Sequence, residues 1–591
     1  MSARLKTIVC GVLLAAAVGW LYARRLSDAP VYLSPDEAII AVDAHTLATT
    51  AHDGRGVLLP LYFRIQMPGE ERFGWFTPAI FYWSALFVKA LPFSEATVRL
   101  STVAVGLIDI VLMYFAARRL FGTSPFALLA AGLLALTPAH FILSRYELDY
   151  LYPLPFVLGW FLCLATWIER DRPVWLAAAA ACLAVGFYSY ISSVLMMPVY
   201  FGLTLLLLVQ RRTSASQLAI AATAFAVPLL PFVTWLIAHP TAFTETAQRY
   251  ELYDAKKLNA LQGLREYLSY PNLDRLSALY WSFFSPSFLF FSGDSQMMFS
   301  TRAIGVFVLP FAILIPIGAY HIVRHRTTPM NLLVLAGFVT APVAAVLVPE
   351  PATIIRAVAI LPFGALLATF GVEALWDARL VERPRPFILS AGVAALVLAA
   401  VYGMSTMISG LRVSRSTMIL LLASVALFAL GRAADRMKLG RVIAVCLLAA
   451  IPIQFGGFCR DYFTDYRSRS TTWLGGNLRG ALETLIALEG RDHAPSVYFS
   501  ALRSTSGLLD IRNRWMDAYW RFYLIKAGRE DLLAKSGKLP PGGVEGLPAG
   551  SLVLANVGDT FTESLVAAGR LKQRAVIPEM DKPGFFVILE R

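Results

Sequence analysis

Apolar residues in this chain come in long uninterrupted runs, such as 103–117, 126–143 and 388–408, with polar residues gathered between them. Alternating strands do not look like this. Helices apolar all round do, and runs of this kind suit a bilayer whose hydrocarbon is about 30 Å thick. Only a structure that bonds its own backbone polar groups survives there, so the class is α-helical. The pattern predicts about thirteen spans, at 5–23, 97–117, 125–143, 151–168, 174–190, 194–209, 218–237, 303–322, 330–348, 355–376, 387–409, 416–431 and 442–458. The stretch 76–92 is also apolar, but it holds Lys89 and is bracketed by Pro78 and Pro92. It is expected to lie along the outer surface beside an amphipathic helix over about 36–50.

Beyond residue 458 the pattern changes. Strand-like pieces at 496–499, 552–555 and 585–589 are separated by helical stretches and a Pro540-Pro541-Gly542-Gly543 turn. The expected organisation is a polytopic membrane domain over 1–458, with outer loops at 24–96 and 238–302, followed by a small soluble α/β domain over 459–591.

Composition agrees with the pattern: 57% hydrophobic and 15% charged residues exclude a water-soluble globule. The net charge of +13 does not point to nucleic acid, because many of the cations sit in short turns such as Arg118-Arg119 and Arg211-Arg212. That is the positive-inside pattern, and it puts the N-terminus in the cytoplasm and the C-terminal domain outside. Arg24-Arg25 and the Arg412/Arg415 turn oppose the rule. The five cysteines form neither a disulfide framework nor a CxxC site. No internal repeat is present, which weighs against a transporter.

Asp36 and Glu37, in Ser34-Pro35-Asp36-Glu37-Ala38, place two carboxylates shortly after the first span. The sequence is a good helix start, and a carboxylate at a helix N-terminus is also held ionised, as a base must be. Ser144-Arg145-Tyr146-Glu147-Leu148-Asp149 follows the third span on the same face, so Arg145 and Asp149 are candidates for orienting an acceptor or a cation. Taken alone, such a cluster is an interfacial anchor, and Tyr188-Ser189-Tyr190 reads as part of an aromatic belt. Aromatics interleave with Arg249, Lys256, Lys257, Arg265, Arg275 and Arg302 in the loop 239–302, as a lipid phosphate and a sugar would require or as a loop resting on head groups would show. Arg356 opens a span, where an unpaired guanidinium is costly and a phosphate would offset the cost. Lys256, Lys257, Arg302 and Arg356 are therefore the candidate donor-phosphate residues. Asp109, midway along a predicted helix, needs a partner and is expected to have a structural one. Asp36, Glu37 and Asp149 could gather around Mg²⁺ or Mn²⁺, but three scattered acids are not a coordination motif.

These pieces resemble the GT-C superfamily of membrane glycosyltransferases, in particular the bacterial group related to protein O-mannosyltransferases and to the aminoarabinose transferase of lipid A. The likeness is carried by Pro35-Asp36-Glu37-Ala38, Arg99-Leu100, Arg118-Arg119-Leu120-Phe121-Gly122, Thr137-Pro138, Ser144 through Asp149, Phe284-Ser285-Pro286 with Gly293-Asp294, and Arg356 followed by Pro362 and Gly371. It covers about the first 380 residues. The resemblance implies a polyprenyl-phosphate monosaccharide donor, inverting transfer to a hydroxyl on the extracytoplasmic side of a bacterial inner membrane, and Asp36 as base with Glu37 and Asp149 near it. Two departures limit it. The aminoarabinose transferases follow Asp-Glu with Thr-Arg and carry a later Glu-Lys-Pro, whereas Ala38-Ile39 and Phe76-Thr77-Pro78 stand here. No loop holds the trefoil domain of the eukaryotic mannosyltransferases, so the acceptor is left open among glycan, lipid and protein. A flippase of lipid-linked glycans and a ligase using a diphosphate-linked glycan are the alternatives.

Overall fold

The computed structural model describes residues 3–591 apart from 67–72, 251, 255–256, 268, 349, 378–391, 394, 398, 401–402, 405–414, 433–438, 472, 475, 489–495, 503–510 and 581. Among the described residues, six helical stretches are long and apolar enough to cross a membrane: Glu95–Phe121, Asp149–Arg170, Ser193–Gln210, Ala215–Ala238, Pro329–Leu347 and Gly440–Phe463. Shorter apolar helices accompany them, including Ser124–Ala135, Pro173–Gly186, Phe311–His325 and Ile360–Trp376. The predicted span 387–409 lies largely outside the described residues.

Helix α1 covers Ala3–Ala23 and α2 covers Pro35–Thr50. Serine 34 caps α2 with a complete capping box: its Oγ accepts from the Glu37 N–H at 3.3 Å, and Glu37 Oε2 accepts from the Ser34 N–H at 2.8 Å. Proline at the first helical position costs nothing, since its missing donor would be unpaired there. Downstream, an antiparallel pair of strands, β1 (Phe63–Gln66) and β2 (Phe73–Phe76), leads into α3 (Ala79–Ala90). Sequence reading anticipated both helices of this first loop but not the strands. Helix α3 packs on α2 and on α4 (Glu95–Phe121), burying Ile80, Phe81, Ser84, Ala85 and Val88.

Of the predicted spans that are shorter as helices than expected, two show the cause most plainly. The stretch 125–143 breaks into α5 (Ser124–Ala135) and α6 (Pro138–Leu143), because Pro138 forces Thr137 out of the helical region, to φ −90° and ψ 117°. The stretch 303–322 becomes helical only at Phe311, since the N–H groups of Val306 and Phe307 are taken by the carbonyls of Phe288 and Leu289. The helices Phe311–His325 and Ile360–Trp376 then pack almost backbone to backbone. A Cβ on Gly318 would come within 1.9 Å of Leu367 O, and one on Gly371 within 2.2 Å of Leu314 O. Small residues at this crossing are what permit the approach.

The last long helix runs Leu439–Phe463, five residues past the predicted boundary. After it comes a five-stranded sheet in the order β4-β3-β5-β7-β6, built from Val497–Phe499 (β3), Ser536–Lys538 (β4), Leu552–Asn556 (β5), Lys572–Glu579 (β6) and Lys582–Glu590 (β7). The β3 strand is parallel to β4 and β5, while β7 is antiparallel to β5 and β6. All five residues of β5, the central strand, are buried. Helices Leu478–Leu488 and Ile511–Ala527 share a core with strand residues and with α2.

Candidate active site

Adjacent on the first turn of α2, Asp36 and Glu37 go to different places. Glu37 is fully buried and meets Arg99 of α4 side-on, Nε to Oε1 at 2.8 Å and Nη2 to Oε2 at 3.2 Å. The rest of the Arg99 guanidinium donates to the carbonyls of Leu26, Pro30 and Tyr32 at 2.9, 2.7 and 2.8 Å. Glu37 Oε1 also accepts from the Glu147 N–H at 3.1 Å. Every lone-pair direction of this carboxylate is therefore spent on holding the 26–32 segment, α2 and the 147–149 turn together.

Arg145 is turned to the backbone rather than to the cavity, with its buried Nε alone lacking a hydrogen-bond partner among the described residues. Its guanidinium donates to the carbonyls of Tyr22, of Arg24 at 2.7 Å and of Ala29 at 2.5 Å, satisfying orphan carbonyls at and just beyond the C-terminus of α1. Two residues beyond Arg145, Glu147 accepts from the hydroxyls of Ser84, Ser101 at 2.5 Å and Thr102 at 2.9 Å. Burial pushes its carboxyl up to about 8, against the pull of those hydroxyls.

Asp36 instead lines an open cavity whose space, adjoining solvent included, is about 590 Å³. Among the described residues nothing hydrogen-bonds its carboxylate. Burial raises its pKa above the ordinary aspartate value; Arg249 opposes that rise and Glu37 adds to it. Asp149 opens a short 3₁₀ turn on the same cavity and accepts from Thr77 Oγ1 at 3.3 Å. Arg249 and Arg356 line it as well, along with Trp75, Tyr150, Tyr190 and Tyr250.

The two arginines are held by aromatic faces. The Arg249 guanidinium, at the end of helix Ala242–Arg249, lies 4.6 Å from the Phe76 ring centroid and 5.4 Å from that of Tyr250. Glycine at position 74 of β2 makes room for it, since a Cβ there would come within 2.1 Å of Arg249 Nη1. Arg356 sits in the turn Ile354–Arg356, 5.9 Å from the Tyr250 ring centroid, with Nη1 on Glu350. It is 7% exposed, and its buried Nε has no partner. The turn is anchored by Asp294, whose Oδ2 accepts from the Ile354 N–H at 2.6 Å.

Of the residues anticipated from sequence, the cavity gathers Asp36, Asp149 and Arg356. Glu37 and Arg145 do not reach it. Lys257 is an exposed cation beside Asp254 at 3.1 Å, and Arg302 folds back on Asp294 O at 2.6 Å. Lys256 lies outside the described residues. Arg249, Tyr150, Tyr190 and Tyr250 were missing from the expected set. The signal for Arg249-Tyr250 was only its place in a loop rich in cations and aromatics, where five other cations looked the same. Asp36 and Asp149 offer two carboxylates of the type Mg²⁺ or Mn²⁺ takes, and no group of three or more His, Cys, Asp or Glu suited to a metal occurs among the described residues.

An anionic leaving group suits two cavity guanidiniums, a sugar suits the aromatic lining, and an unpaired carboxylate suits proton abstraction. Comparison with known proteins bears on the fold. Residues 76–237 match the family described as Dolichyl-phosphate-mannose-protein mannosyltransferase. No curated protein matches the chain by sequence. The crystal structure of ArnT from Cupriavidus metallidurans bound to undecaprenyl phosphate superposes with a TM-score of 0.51 at 13% identity, covering 100% of this chain and 98% of that one. The apo form of the same protein gives 0.50 at 14% identity with the same coverage. At these identities the likeness speaks to the fold: the chain is a membrane protein with the GT-C fold of polytopic glycosyltransferases.

Proposed function

We propose that the chain moves a single sugar from a polyprenyl-phosphate donor to a hydroxyl of a glycan, lipid or protein acceptor outside the cytoplasm, with inversion at the anomeric carbon. The carrying observation is that the unpaired Asp36 carboxylate shares one cavity with Arg249 and Arg356. Asp36 takes the proton of the acceptor hydroxyl as its oxygen attacks the anomeric carbon. The bond from that carbon to the phosphate oxygen breaks on the opposite side, and the phosphate leaves with the electron pair, its charge met by the two guanidiniums. Asp149 orients the acceptor. A phosphate is a good leaving group, so one base suffices and no second acid is required. The family matched by residues 76–237 and the lipid named with the ArnT structure both support a lipid-phosphate donor.

A flippase would be favoured by polar residues left open deep in the helices. Asp109 is such a residue only in part: its Oδ2 meets His140 Nε2 at 3.3 Å, and Nδ1 of that ring meets the Tyr22 hydroxyl at 3.0 Å, while its buried Oδ1 has no partner among the described residues.

Mass spectrometry of the lipid that copurifies with wild-type and Asp36→Asn protein from the native host tests the proposal. A polyprenyl phosphate bearing one sugar, enriched on the variant, is the expected result. A diphosphate-linked oligosaccharide would overturn it in favour of ligation or flipping.

A further inference from the structure

Helix α2 has two working faces. Asp36 and Ile40 look into the cavity, whereas Ala38, Ala41 and Ala44 sit in a core with Leu478, Leu482 and Tyr523 of the C-terminal region. Alanine spaced by three leaves no side-chain bulk, so the C-terminal helices lie directly against the backbone that carries the candidate base. Polar contacts fix the register of that packing. The Tyr519 hydroxyl donates to the carbonyl of Leu33, one residue before the cap of α2, at 3.0 Å. Lys526 Nζ donates to both oxygens of Glu95, in the first turn of α4, at 2.9 and 2.8 Å, and to Glu483 at 2.7 Å. Arg479 adds a bond to Ser27 O at 2.8 Å and a contact to Glu95 at 3.4 Å. Glu95 is 3% exposed, and Arg99, one turn further along α4, is the residue that grips Glu37.

The chain of contacts is short: Lys526 to Glu95, α4 to Arg99, Arg99 to Glu37, and Glu37 to its neighbour Asp36; Tyr519 holds Leu33, immediately before the cap of the same helix. None of these C-terminal groups lines the cavity. We infer that Tyr519 and Lys526 are positioning residues for the reaction, so that the C-terminal region completes the active site by fixing the first turn of α2. The inference rests on the proposed role of Asp36. It assigns the region a task in turnover that is separate from acceptor choice. Misplacing a reacting group by about 1 Å costs up to about a hundredfold in rate, whereas donor affinity resides in Arg249 and Arg356, on other elements.

The test compares steady-state transfer by full-length wild type, Tyr519→Phe, Lys526→Met and Lys526→Arg, with donor and acceptor varied and melting temperature recorded. Lys526→Met is expected to lower kcat about tenfold or more with donor KM within about twofold; Tyr519→Phe should act in the same direction more weakly, and Lys526→Arg should recover most of kcat. A uniform loss of active protein with no recovery in the arginine variant would reduce Lys526 to a folding contact, and Tyr519→Phe, which removes one oxygen, then decides the matter. Wild-type kcat in both Lys526→Met and Tyr519→Phe overturns the inference. If Asp36→Asn also keeps wild-type turnover, the base assignment itself has failed; if Asp36→Asn is inactive while those two variants are not, only the positioning role has.

Discussion

Two groups of buried charge lie within a turn of each other at the start of α2, and they are built differently. In the Glu37–Arg99 group the carboxylate and guanidinium are 0% exposed and answered on every side by each other or by backbone. In the cavity, Asp36 has no hydrogen-bond partner among the described residues, and Arg356, paired with Glu350 through Nη1, keeps a buried Nε unanswered. Charge that the protein satisfies itself holds the fold, because removing one partner strands the other. Charge left open is what a substrate can complete. Residue type and spacing do not separate the two groups; the partners do.

The comparison can be broken at either end. Arg99→Met should have the largest effect, stranding Glu37 at a cost of about 3–5 kcal/mol, visible as a large drop in melting temperature or loss of folded protein in detergent. Arg356→Ala, which releases only the part-exposed Glu350, should lower the melting temperature far less than Arg99→Met and weaken donor binding by about 1.5–3 kcal/mol, roughly ten- to a hundredfold in Kd, measured by titration with donor. A fall in stability matching that of Arg99→Met would place Arg356 in the structural class instead.

A pH profile sharpens the contrast further. The base works ionised, so rate is lost as pH falls through the Asp36 pKa, and burial puts that limb above the ordinary aspartate range. Arg249 opposes the rise, so Arg249→Ala should carry the acid limb of kcat to still higher pH. A limb that stays in place would separate Arg249 from Asp36. The smallest effect is expected at Lys257, whose side chain is 81% exposed: Lys257→Ala should change donor affinity and stability by no more than about 0.5 kcal/mol.

Much of the frame was legible in the sequence because its causes are local. Long apolar runs make membrane helices, and Ser34-Pro35-Asp36-Glu37 writes a capped helix whose first turn carries the candidate base. Arg356 could be singled out because a guanidinium beside a span needs a reason to be there. What the sequence concealed was pairing at a distance. Glu37 finds Arg99 sixty-two positions away, and Arg145 finds carbonyls more than a hundred positions upstream. Both looked open in a one-dimensional reading. Arg249 was hidden for the opposite reason: only the β1–β2 pair, with Gly74 under the guanidinium, distinguishes it from the other cations of its loop. The break at Thr137-Pro138 was visible as a dipeptide, but not as the end of a helix inside an apolar run.

The most direct test is to measure turnover and melting temperature of Asp36→Asn beside Glu37→Gln. Asparagine preserves shape and leaves the Glu37–Arg99 group intact, so Asp36→Asn should melt like wild type and lose about a thousandfold or more in kcat. Glu37→Gln should lower the melting temperature sharply. Wild-type turnover in Asp36→Asn, or a melting loss as large as that of Glu37→Gln, would contradict the division between a charge that holds the fold and a charge that does the chemistry.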